Sequence, residues 1–107
     1  MNKNNLDILI NEIKSELIDK YKEFSGIYLI GSRARGNYTK ESDLDLVMTF
    51  SKVIDRKFKV EIRDLIYEYD LKYDLVIDAH IYNLQDILSP ATPFRLNVKN
   101  EGIFYGA

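Results

Sequence analysis

The sequence predicts an α+β fold, a small mixed β-sheet with flanking helices. Three observations carry this. Two segments repeat their apolar residues at three- and four-residue steps, two others alternate apolar and polar residues, and one short apolar run lies directly before a glycine. At 107 residues the chain suits one compact domain, residues 1–107, and is too short for two.

The first element is an amphipathic helix. From Leu6 to Phe24 the apolar positions Leu6, Leu9, Ile10, Ile13, Leu17, Tyr21 and Phe24 fall on one stripe. Gly26 is expected to end it. Ile27 to Ile30 then reads as a short strand buried on both faces. After a polar loop, Asp43 to Phe50 alternates. Leu44, Leu46, Met48 and Phe50 share one face, with Asp43, Asp45, Val47 and Thr49 on the other, as in a half-buried strand.

Asp55 is placed to cap a second helix whose stripe is Phe58, Ile62, Leu65, Ile66 and Tyr69. Tyr73 to Tyr82 alternates again. Leu75, Ile77, Ala79 and Ile81 face the core, and Asp74, Val76, Asp78, His80 and Tyr82 face away. Thr92 followed by Pro93 marks the start of a last short helix, and Gly102 its stop. Helices on one face of the sheet would satisfy this order.

Composition removes several functional classes. Nearly half the residues are apolar (46%), enough for a core that needs no disulfide or structural metal. Cysteine is absent, which excludes a disulfide scaffold and Cys-based zinc sites. A formal charge of -2 argues against a surface built to hold nucleic acid stably. The N-terminal segment alternates charge with apolar residues and lacks the continuous apolar stretch of a signal peptide. No apolar run approaches the length of a membrane span. The expectation is a soluble, cytoplasmic protein with no membrane partner.

The chemistry concentrates in GSRARGNYTKESDLDL, Gly31 to Leu46. Its two glycines, Gly31 and Gly36, stand five positions apart like those of a phosphate-binding P-loop. A P-loop needs Lys and then Ser or Thr directly after the second glycine. Here Asn37 and Tyr38 follow, so that reading fails. Asp43 and Asp45, two apart on a strand, point to the same face. Two carboxylates held that close repel each other, and a bridging divalent cation removes the conflict. If a helix begins at Gly31-Ser32, its free N–H groups and the Ser32 hydroxyl can bind phosphate oxygens. A phosphate cradle facing a carboxylate pair suits metal-assisted displacement at a nucleoside triphosphate. Simpler explanations stand beside these: a solvated strand end bearing acids, and a tight turn at Gly31-Ser32.

Gly-Ser, ten residues and Asp-x-Asp together resemble the signature of the polymerase-β-like nucleotidyltransferase superfamily. GSRARG with SDLDL is most similar to its minimal nucleotidyltransferases. The resemblance implies a polymerase-β-like palm core and a set of roles. Gly31 and Ser32 would hold the triphosphate, with Arg33 and Arg35 steering phosphates or merely solvated. Asp43 and Asp45 would ligate two Mg2+ ions. A third carboxylate on a neighbouring strand would ligate one metal and help activate the attacking hydroxyl. Asp74 and Asp78 are the candidates, and Asp78 is preferred because it is central in its strand. His80 shares that face and is either a substrate contact or a half-exposed strand residue. Tyr67, Tyr69, Tyr73 and Tyr82 read as core and rim.

The implied activity is Mg2+-dependent transfer of AMP from ATP to a hydroxyl acceptor. So short a chain leaves no room for a large acceptor domain, so a partner or a second subunit must present the acceptor. Minimal nucleotidyltransferases often pair with HEPN-domain toxins, which would make the acceptor a partner tyrosine and the protein an antitoxin. Transfer to a small molecule such as an aminoglycoside, with the site completed in a homo-oligomer, is the alternative. A non-catalytic toxin-binding module is a third, disfavoured by the clustered acids. The tail from Ser89 to Ala107 departs from the smallest members and reads as a helix or a docking surface.

Overall fold

The computed structural model describes residues 2–36 and 43–107. The polar loop expected between the first two strands, with Asn37 and Tyr38, lies outside them. The elements run α1 (Lys3–Lys20), β1 (Phe24–Ile30), α2 (Gly31–Arg35), β2 (Leu44–Phe50), α3 (Arg56–Tyr73), β3 (Ile77–Asn83), α4 (Leu84–Leu88), α5 (Pro93–Glu101) and β4 (Ile103–Gly106). The strands form one mixed sheet of order β3-β2-β1-β4. β1 is antiparallel to both β2 and β4, whereas β2 and β3 run parallel, joined by the crossover helix α3.

α1 buries Leu6, Leu9, Ile10, Ile13 and Leu17, the stripe expected of it. It stops earlier than the periodicity suggests. Tyr21 is the extended C-cap, and Phe24 opens β1. Both aromatics still reach the same core, because Tyr21 packs edge-on against Phe50 and Phe58, and Phe24 against Phe50. A helical period therefore ran on into a strand whose side chain meets the core from another direction. Gly26 does not end the helix. It lies in β1 at a register irregularity, under the ring of Phe104, where a Cβ would have no space.

α3 begins as expected, with the Asp55 carboxylate accepting a hydrogen bond from the Phe58 N–H at 2.8 Å. Phe58, Ile62, Ile66 and Tyr69 are buried, and Leu65 is partly so. β3 is shorter than the alternation implies. Tyr73 is the last residue of α3, and Asp74 is its left-handed C-cap (φ 52°). The Asp70 carboxylate accepts from the Ile77 N–H at 3.1 Å and ties the helix end to the strand start.

The sheet is covered on both faces, which corrects the expectation of helices on one. α1 and α3 pack against Leu44, Leu46, Met48, Phe50, Ile77, Ala79 and Ile81. On the other face Ile87 of α4 and Val98 of α5 bury Tyr28, Ile30 and Val47. β2 is therefore not half-buried beyond its first turn: Val47 and Thr49 are fully enclosed. Thr49 tolerates this because its hydroxyl donates to the Gly26 carbonyl at 3.1 Å.

The tail is more than a helix. α5 starts at Thr92 and Pro93 as expected, with the Thr92 hydroxyl accepting from the Arg95 N–H at 3.2 Å. Gly102 does stop it, in extended conformation. Glycine is required there by close approach, since a Cβ would press on the Val98 carbonyl and the Tyr28 ring. β4 then adds an edge strand beside β1. No helix among the described residues is long and apolar enough to cross a membrane.

Candidate active site

The site lies where β1 ends and the parallel pair β2–β3 begins. Strand register assembles it. Ile30, the last residue of β1, is opposite Asp45, and Asp45 is in turn opposite Asp78 on β3. Two carboxylates from distant stretches of chain thus stand side by side across a parallel ladder, on the α4–α5 face of the sheet. Two positions along the strand, His80 points to the same side. Its Nε2 lies 3.3 Å from Asp78 Oδ2. One donor atom from each of Asp45, Asp78 and His80 falls within 4.8 Å of the others.

Asp43 precedes β2 and is exposed. It stands outside that cluster of three but near enough for its charge to act on Asp45. The Asp45 carboxyl is raised above its ordinary value of 3.8. Burial is the largest cause, then the charge of Asp78 and a hydrogen bond from it, with Asp43 adding repulsion and His80 opposing. The pair is therefore an electrostatic conflict, which a divalent cation with oxygen ligands would resolve. These residues fit such an ion.

This has a consequence for stability. A carboxyl whose pKa is raised on folding holds more protons in the native state than in the unfolded one. Stability then falls as pH rises from the unfolded value through the raised one, and the deficit persists above it. Asp45→Asn removes that deficit. The metal-free variant is expected to melt above the native protein at pH 7, the gap narrowing as pH falls towards 4. Melting curves across that range in chelator check it, and an unchanged or lower melting temperature at pH 7 would contradict it.

Gly31 closes the other side. It follows β1 directly, opens α2 and takes a left-handed φ of 77°. The Asp45 carboxylate rests against its Cα: a Cβ there would stand 3.3 Å from Asp45 Cγ and closer still to Oδ2. Ser32 follows in α2, partly exposed. Gly31 is therefore set against the Asp45 carboxylate, with Ser32 the next residue of α2.

Arg33 is not on that side. It is buried, and it lines a cavity of about 390 Å³ with Lys3, Leu6, Asp7 and Tyr105, between α1 and β4. Arg35 is exposed. Asp74, the second candidate for a third carboxylate, caps α3 and stands outside the cluster. Of the tyrosines, Tyr69 is buried in the core, Tyr73 and Tyr82 pack at its edges, and Tyr67 is exposed.

The sequence left His80 open between a substrate contact and a half-exposed strand residue, and its side chain is in fact half-buried beside Asp78. The i, i+2 spacing had already put it on the face of Asp78; what spacing could not show was that the strand register brings Asp45 to the same place. Its ring is steadied by Phe94 of α5, with centroids 5.2 Å apart. Tyr82 lies next along the strand, under the Arg95 guanidinium at 5.2 Å.

The nucleotidyltransferase domain family model matches residues 10–105. The chain is 32% identical over 96 residues to Putative protein adenylyltransferase MJ0141 of Methanocaldococcus jannaschii, covering 89% of this chain and 93% of that protein. Among solved structures, a toxin-antitoxin with AMP-PNP superposes with a TM-score of 0.64 at 21% identity, covering 91% of this chain and 73% of that one. The toxin-antitoxin MntA-HepT superposes with a TM-score of 0.59 at 18% identity, covering 94% and 73%. At such identities the superpositions speak to the fold alone.

Proposed function

This chain belongs to the nucleotidyltransferase domain family, and from that premise we propose that it transfers AMP from ATP, with Mg2+, to a tyrosine hydroxyl on a HEPN-domain partner. The observation that carries the reading is the register match of Asp45 with Asp78, closed off by Gly31. It sets acidic oxygens directly beside the start of α2, where a triphosphate would be held.

Each residue then has a task. The Gly31 and Ser32 N–H groups and the Ser32 hydroxyl would hold phosphate oxygens. Arg33 is buried, so its part is the positive charge it adds behind α2. Asp43, Asp45 and Asp78 would hold two Mg2+ ions, whose charge offsets that of the triphosphate and of the leaving pyrophosphate. The tyrosine oxygen attacks the α-phosphorus, the bond to the β-phosphate bridging oxygen breaks, and pyrophosphate leaves. Asp78, the exposed member of the pair, accepts the phenolic proton.

A groove of about 290 Å³ flanks Asp78 along the outer edge of β3, lined also by Arg63, Tyr67 and Asp70. It offers an approach for an acceptor carried on another chain. The name of the Methanocaldococcus relative supports protein as the acceptor class. The pairing in the MntA-HepT structure supports a toxin as the partner.

The test is transfer of label from α-labelled ATP to a co-purified HEPN-domain chain, with the modified residue located by mass spectrometry. Label on a partner tyrosine, dependent on Mg2+ and lost in Asp45→Asn, is expected. Label that remains in free nucleotide under all conditions would refute the reading.

A further inference from the structure

We propose that His80 is a nitrogen donor of the metal centre and biases it towards divalent cations that accept imidazole, such as Co2+ and Zn2+, relative to Mg2+. This rests on the transferase reading only in placing a metal at Asp45 and Asp78.

Three features support it. The parallel register pairs Asp45 with Asp78 and Val47 with His80, so the imidazole is on the carboxylate face one repeat along. The donor atoms of Asp45, Asp78 and His80 all lie within 4.8 Å of one another. With metal–ligand bonds of about 2.0–2.2 Å, two donors on one ion stand at most about 4.4 Å apart. A side-chain rotation of a few tenths of an ångström closes that gap. Finally, the ring is held by Phe94, so ordering it costs little on binding.

The chemistry follows from donor type. Carboxylates alone suit Mg2+, which prefers oxygen and releases water reluctantly. An imidazole adds little for Mg2+ and much for Co2+ or Zn2+. A purely structural His80, holding Asp78 by an ion pair, would make no such distinction between cations.

The test is calorimetric titration of the chain with Co2+ and, separately, Mg2+, without nucleotide, for the native protein, His80→Ala and His80→Phe. The phenylalanine variant keeps a ring against Phe94. Loss of the nitrogen is expected to weaken Co2+ binding about tenfold or more in both variants while Mg2+ binding changes far less. Pulsed EPR of the native protein loaded with Cu2+, which accepts imidazole readily, should show the nitrogen coupling of a bound imidazole, absent in both variants. An unchanged ratio of Co2+ to Mg2+ affinity, or no nitrogen coupling in the native protein, would overturn the assignment. AMP transfer measured in parallel separates the two readings. Intact transfer with no role for His80 in selectivity defeats only this inference, and selectivity that depends on His80 without transfer defeats only the other.

Discussion

Asp78→Asn is expected to slow AMP transfer by about 10²–10⁴-fold, the usual contribution of a positioned proton acceptor, while nucleotide still binds. The side chain is exposed, so its replacement opens no cavity, and losing its charge relieves Asp45, so the metal-free melting temperature should not fall. Asp43 and Asp45 remain to hold the triphosphate-bound ion, so the loss should appear in the chemical step more than in affinity. Asp74→Asn is the paired control. Asp74 is the left-handed cap of α3, and asparagine adopts that conformation at least as readily as aspartate. It should be silent in both rate and stability. Single-turnover transfer from labelled ATP, alongside equilibrium binding of a non-hydrolysable analogue, measures both variants. A dead Asp74→Asn with a normal Asp78→Asn would move the role to Asp74. Two active variants would remove both candidates from the mechanism.

The site was legible in the sequence wherever local spacing carries the information. Asp45 was marked by the two-residue repeat of its strand, although Asp43, paired with it on that spacing, lies just before β2 and outside the donor cluster, and Gly31-Ser32 announced itself by following a buried strand. What spacing cannot give is register. Nothing in the two segments says that Asp78, rather than Asp74, will stand opposite Asp45. That depends on where α3 ends, which is set by Asp70 bonding to the Ile77 N–H and by the left-handed turn at Asp74. The same limit hid the second core. Val47 and Thr49 alternate with the main core face and so read as exposed, but α4 and α5 fold back over them. Arg33 shows the converse. Its place in the GSRARG motif marks it for phosphate, yet a five-residue helix turns it into the cavity between α1 and β4. β4 is four residues long, too short for alternation to register.

Gly31→Ala is expected to damage both stability and transfer, for two separable reasons. At φ 77° an alanine carries a backbone cost of about 1–2 kcal/mol. Its methyl group would also collide with the Asp45 carboxylate. Asp45 cannot easily retreat, because it is fixed in β2 between the buried Leu44 and Leu46 and paired in register with both Ile30 and Asp78. The backbone cost alone should lower the melting temperature by about 4–8 °C for each kcal/mol in a domain of this size. The collision adds to it and drives the carboxylate out of line with Asp78, so transfer should fall well beyond what the unfolded fraction explains. A double-mutant cycle with Asp45→Ala separates the two causes. Once the carboxylate is gone, Gly31→Ala should cost only the backbone strain, and its destabilisation should shrink. An equal cost in both backgrounds would mean that Gly31 is required for its backbone conformation alone, and that the close approach to Asp45 contributes nothing to holding the site together.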